Sequence, residues 1–188
     1  MIELLDEADA IVAHNGCSFD HKVIQTRATF HGYAKLPTVK VLDTLLLARR
    51  YLRLPSNKLD SIGEYFGLGR KIGTTIRLWK EVQQGSTTAM KDMVEYCQQD
   101  VDLLHDVYVK LRHLGTAGNA FNAALYYNDD KMRCNVCGSD ELTPTERKVS
   151  TTVSQFDEYF CNSCGSLHKT RKSSVSKSKR STLLSAVN

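Results

Sequence analysis

The sequence predicts an α/β body followed by a small β unit stapled by metal. Three observations carry that prediction. Short apolar runs alternate with helically spaced segments from residue 1 to residue 114, the order expected of a parallel sheet covered by helices. Four of the six cysteines fall into two Cys-x-x-Cys pairs, Cys134/Cys137 and Cys161/Cys164. Charge also divides along the chain: residues 1–130 carry 15 Lys/Arg against 16 Asp/Glu, and residues 131–188 carry 10 against 5.

A chain of 188 residues with 41% hydrophobic residues can bury a core, which excludes a globally disordered protein. No apolar run approaches the roughly 20 residues of a membrane helix. The acidic start, Met1 to Asp9, lacks the pattern of a signal peptide, so a cytoplasmic location is expected. The basic end suits a phosphate-bearing partner, or it serves only to solubilise the chain.

Ile2, Leu4, Leu5 and Ala8 predict a short amphipathic helix feeding a buried strand, Ala10-Ile11-Val12-Ala13. The strand stops at His14-Asn15-Gly16, a turn signal. Val23, Ile24, Arg27 and Phe30 carry a helix over 19–31 that stops near Gly32. Val39, Val41 and Leu42 predict a second strand ending at Asp43-Thr44. A helix follows through Leu45, Leu46, Ala48, Arg49 and Leu52, and must end before Pro55. Ser56 or Asn57 can cap the next helix, through Leu59, Ile62, Tyr65 and Phe66 to Gly67. Residues 69–75 read as a basic, glycine-rich loop, and Ile76 to Val82 as a short helix carrying Trp79. Ser86-Thr87-Thr88 caps the longest helix, about 87–114, with Met93, Val101, Leu104 and Val107 as its apolar stripe.

Two places on this framework carry chemistry. Asp20 lies just past a strand end, at the mouth of a helix, the rim where α/β folds bind ligands. The same residues could be only a turn, with Asp20 capping the next helix. On the long helix, Tyr96 and Asp100 are four apart and share a face. A carboxylate near the core side is costly without a cation. The alternative is a plain polar face, shared with Asp102 and Asp106.

The ordered set Asn15-x-x-x-Phe19-Asp20, Leu42-Asp43-Thr44 and Tyr96-x-x-x-Asp100 resembles the DEDDy-type 3′→5′ exonucleases of the ribonuclease H-like superfamily, most closely their bacterial and phage branch. The resemblance covers about residues 1–114. It implies a two-ion phosphodiester hydrolase using Mg²⁺ or Mn²⁺, ions that favour carboxylate oxygens and stand roughly 3.5–4 Å apart in such sites. It implies that Asp20 and Asp100 hold metal, that Tyr96 orients the attacking water, that Asn15 supports the site or meets the substrate strand, and that Phe19 meets the substrate. The implied partner is a single-stranded 3′ end of DNA or RNA. Asp43 could cap the helix that begins at Thr44 or support the site from behind it.

The family's first motif, Asp-x-Glu on the first strand, has no counterpart here. Glu3, Asp6, Glu7 and Asp9 fall on the first helix instead. The expectation is therefore a partial ribonuclease H-like fold without its N-terminal strands, with an upstream polypeptide able to supply them.

Residues 115–130 read as a connector. Residues 131–168 resemble a zinc ribbon: Cys134-x-x-Cys137-Gly138 and Cys161-x-x-Cys164-Gly165 bracket a span fit for hairpin strands, with Thr151-Thr152-Val153 and Tyr159-Phe160 strand-like. The resemblance implies one structural Zn²⁺ on Cys134, Cys137, Cys161 and Cys164; a disulfide or free-thiol reading is the alternative. Cys17 and Cys97 read as small buried side chains. Residues 169–188, with Lys169, Arg171, Lys172, Lys177, Lys179 and Arg180 and no acid, predict a disordered basic tail able to hold nucleic acid. The rival to a hydrolase is a non-catalytic nucleic-acid-binding protein that uses the ribbon and tail.

Overall fold

The computed structural model describes residues 1–69, 73, 75–115 and 121–185. Most of the basic loop at 69–75 lies outside the described residues. The chain forms two compact units, Met1–Ala120 and Phe121–Asn188.

In the first unit, α1 (Ile2–Glu7) leads into β1 (Ala10–Ala13), which pairs in parallel with β2 (Lys40–Asp43), Ala13 opposite Asp43. Parallel pairing requires a crossover, supplied by α2 (Asp20–Phe30). Gly32, at φ 78, ends that crossover helix in a conformation that disfavours other residues. Leu5, Ala28 and Leu36 form a small core with Ile2, Ile11, Ile24 and Val39 around it. Phe30 does not join it. It is 75% exposed and lies against Arg27 and His31 instead.

The larger core joins α3 (Thr44–Tyr51), α4 (Leu59–Tyr65) and α6 (Thr87–Leu111). Leu47, Ala48, Leu59, Ile62, Leu103, Val107 and Leu111 are buried together there. Gly63 admits this packing, because a Cβ on it would stand 2.6 Å from a methyl of Leu103. Ser86 caps α6 through its Oγ, which accepts the Ala89 amide. The helix gives way to a 3₁₀ turn, Arg112–Leu114, before Gly115. The α6 stripe differs from expectation: Leu103 takes the core position, and Val101 is 63% exposed. Neither Ser56 nor Asn57 caps α4; its first residue follows Lys58, with no side-chain cap. α5 (Ile76–Gln83) carries Trp79 on an exposed face.

In the second unit, β3 (Leu142–Ser150), β4 (Gln155–Cys161) and β5 (Leu167–Lys169) form an antiparallel sheet in the order β3-β4-β5. Thr151 to Val153 make the β3–β4 turn rather than a strand. Residues 121–130, expected as connector, join this unit: the Ala123 amide donates to the Asn135 carbonyl, and Tyr127 lies under Gly138. The tail is not featureless among its described residues. The Thr170 and Ser174 amides donate to β4 carbonyls, and α7 (Lys177–Ser181) is capped by Ser176.

Candidate active site and metal centre

The loop after β1 is built around Asp43. This carboxylate is 3% exposed and ends β2. Its Oδ1 accepts the amides of Leu45 and Leu46, capping α3, and also the amide of Asn15 at 2.9 Å. Its Oδ2 accepts the Cys17 amide. Asp43 therefore caps α3 and at the same time ties the Asn15–Cys17 loop to the start of that helix. His14 adds a second tie, with Nδ1 2.8 Å from the Thr44 hydroxyl and Nε2 2.9 Å from the Asn57 carbonyl. Asn15 sits at φ 69, a conformation Asn tolerates better than most residues. Gly16 is required there, since a Cβ would lie 2.3 Å from the Ala13 Cβ.

That tight turn carries Asp20 back over the end of β1. Its Oδ2 stands 3.8 Å from where a Gly16 Cβ would be. Asp20 is the first residue of α2 and exposed, and the cap position belongs to Phe19, whose side chain makes no cap bond. So Asp20 is not the helix cap. Phe19 is 62% exposed on the same turn, and Cys17 is exposed rather than buried, as is Cys97.

Tyr96 and Asp100 lie one turn apart on α6, both half-buried, and one Asp100 carboxylate oxygen is closed off from solvent. Tyr96 lines a groove of about 430 Å³ with Thr75, Arg77 and Glu81 of the α5 region. α6 also packs against β1, the strand that delivers Asp20. Among the described residues, no three carboxylates gather closely enough to share an ion. The one such group of His, Cys, Asp or Glu among the described residues is the four cysteines. The family model described as the RNase_H superfamily matches residues 1–112. The chain belongs to the ribonuclease H superfamily. Members are commonly nucleases acting on nucleic acid, typically with divalent metals. No curated protein matches the chain. No helix among the described residues is long and apolar enough to cross a membrane.

This ribonuclease H superfamily chain has its densest ligand cluster in the second unit. The four Sγ atoms of Cys134, Cys137, Cys161 and Cys164 lie within 4.8 Å of one another. A tetrahedral ion bound at about 2.3 Å would hold its sulfurs roughly 3.8 Å apart. Cys134–Cys164 and Cys137–Cys161 are each 3.6 Å apart, and all four are free thiols. The donor set fits a closed, four-thiolate site; no disulfide forms.

Both cysteine turns have one geometry. Gly138 and Gly165 sit at φ 78, and each glycine amide donates to the carbonyl of the first cysteine in its turn. Burial works against a thiolate on Cys134. Hydrogen bonds from Ser166 and from the Cys137 and Val136 amides outweigh it and bring that thiol down to about 6. Burial pushes the Cys137 thiol up to about 12 and raises Cys161 as well. Four thiols so close cannot all ionise without a cation between them.

Several residues of the sites were not anticipated. Ser166, 2% exposed, places its Oγ 3.0 Å from Cys164 Sγ and 3.3 Å from Cys134 Sγ. His168 Nε2 lies 2.7 Å from that Oγ and 3.2 Å from Cys134 Sγ. The repeated pattern Cys-Asn-x-Cys-Gly-Ser, at 134–139 and 161–166, was the available signal for the serine. Nothing local singles out His14, Arg49, Asn57 or Lys58, which converge only through folding.

Proposed function

We propose that this chain is a metal-dependent 3′→5′ exonuclease acting on single-stranded ends of DNA or RNA. Asp20 and Asp100 are its ion-binding carboxylates, Tyr96 holds the attacking water, and Asn15 and Phe19 meet the strand end. The observation that carries this reading is the meeting of β1 with α6: Asp20 follows the strand, and Tyr96 and Asp100 ride on the helix packed against it. In such enzymes two ions supply the nucleophile and neutralise charge on phosphorus. The carboxylates of the described residues do not make that donor set by themselves. Further carboxylates complete it, carried by a strand paired to β1, which has β2 as its one strand neighbour among the described residues. A two-stranded parallel sheet is a weak unit and gains from such a strand. Cys134, Cys137, Cys161 and Cys164 hold one structural Zn²⁺.

The test is a cleavage assay on a 5′-labelled single-stranded oligonucleotide with Mg²⁺ or Mn²⁺. It uses the chain alone and the chain co-expressed with the coding sequence directly upstream. Stepwise shortening from the 3′ end, lost in Asp100→Ala while binding is kept, is the expected result. Equal shortening by that variant would sink the assignment. Binding without shortening in both preparations would favour the second reading, a non-catalytic nucleic-acid-binding protein. That no three carboxylates gather among the described residues, and that the second unit is basic, are the observations on its side.

A further inference from the structure

A groove beside Asn15 holds cations that the reading above does not use. It encloses about 610 Å³ between the loop after β1, α3 and the segment entering α4. Arg49 and Lys58 line it, both exposed, and neither side chain has an ion-pair or hydrogen-bond partner among the described residues. Asp60 is the one acid in the lining, and its Oδ1 already accepts the Ser61 amide at 2.8 Å. The groove is therefore net positive. Leu45 and Leu59, both buried, give it an apolar floor. The wall is held in place: His14 bridges the Thr44 hydroxyl and the Asn57 carbonyl, so the two cation-bearing segments keep a fixed separation.

Two cations against one acid over an apolar floor, ending at Asn15, match a polyanion with an apolar side. A nucleic-acid strand has that chemistry, with one charge per phosphate and sugar and base faces between. Arginine suits a phosphate because its planar fork donates two parallel hydrogen bonds. We propose that this groove is the phosphate track of the substrate strand. Arg49 and Lys58 each hold one backbone phosphate of a single strand that passes Asn15 on its way to Asp20. The proposal rests on the nuclease reading and gives the strand its path. Neither cation is a catalytic residue, and both act by positioning.

The test is fluorescence anisotropy of a labelled 12-nucleotide single strand on the zinc-loaded full chain, without added Mg²⁺ or Mn²⁺, over a series of salt concentrations. Arg49→Ala and Lys58→Ala are each expected to weaken binding about three- to tenfold and to lower the salt slope by about one. Asp60→Asn, which removes the opposing charge, is expected to tighten binding about twofold. Lys91→Ala, exposed on α6 outside the groove, serves as the control and leaves binding unchanged. Thermal melts of the exposed-residue variants should match the parent. Groove variants with the parent's Kd and salt slope would overturn the proposal. So would loss of binding confined to alanine variants of Lys177, Lys179 and Arg180. Displacement of the strand by a nucleoside monophosphate at the same phosphate concentration would overturn it too, since the groove would then be a free-anion site. Weakened binding in the groove variants together with no cleavage by any preparation would keep the track and sink the exonuclease.

Discussion

Asp43 uses both carboxylate oxygens on backbone amides, and through them it shapes the turn that presents Asn15 and Asp20. Asp43→Ala is expected to cost about 2 kcal/mol or more, because a cap is lost and buried amides are left unpaired. Asp43→Asn, which keeps one acceptor oxygen, should cost less. Urea unfolding followed by far-UV circular dichroism measures both. The thiols make a second residue-scale prediction. Metal binds thiolates, so protons compete with it and affinity falls as pH falls. The metal-free unit is expected to be unfolded, where thiols titrate near the ordinary value of about 8.5, so zinc binding displaces protons from the cysteines throughout the range below that. Zinc affinity should therefore fall continuously as pH falls from about 8 to about 5. Competition with a chromophoric chelator across pH 5–8 reads this directly; a flat profile would contradict a thiolate site.

At the scale of elements, α6 joins core and candidate site in one rod. Val107 and Leu111, 0% and 1% exposed, anchor its C-terminal half against α3 and α4, while Tyr96 and Asp100 sit two to four turns earlier. Leu111→Ala should destabilise the first unit by about 2–5 kcal/mol through the cavity it leaves. Because Met1–Ala120 and Phe121–Asn188 are separate compact units, metal content should not change in that variant. A variant that lost zinc along with its first-unit melt would show the two to be coupled.

At the scale of the whole molecule, the second unit depends on its staple. Its buried cluster is Cys134, Val136 and Cys161, with Cys137, Cys164 and Leu142 around it, while Phe160 and Leu167 are exposed. The ligands are thus most of the core, and small domains with so little apolar burial need a metal. Removing zinc with a chelator, or replacing Cys161 with Ser, is expected to unfold this unit and leave the melt of the first unit in place. In small zinc peptides the ion contributes about 10–16 kcal/mol, enough to decide folding outright. Two-dimensional NMR of the full chain, with and without chelator, would show which amides collapse. Retained dispersion of the 131–168 amides without metal would refute the dependence.

Local patterns determined much of this. Ala10–Ala13, Lys40–Asp43, the helix between them and the long helix α6 were legible because strand runs, capping residues such as Ser86 and stops such as Gly32 act over a few residues. The four cysteines were legible because their spacing is itself the geometry of a metal turn. Tertiary structure alone decided which face of α6 is buried, with Leu103 inside and Val101 outside, since an apolar residue on a helix can serve either side until a neighbour is packed. It alone turned Phe30 outward, and it alone brought the amides of Asn15 and Cys17 onto the Asp43 carboxylate. The groove of Asn15, Arg49 and Lys58 was likewise invisible along the chain, because it is made of segments up to 43 residues apart, joined where His14 meets the Asn57 carbonyl. Spacing encodes what neighbours in sequence do to each other; long-range contact decides which of the remaining side chains share a surface.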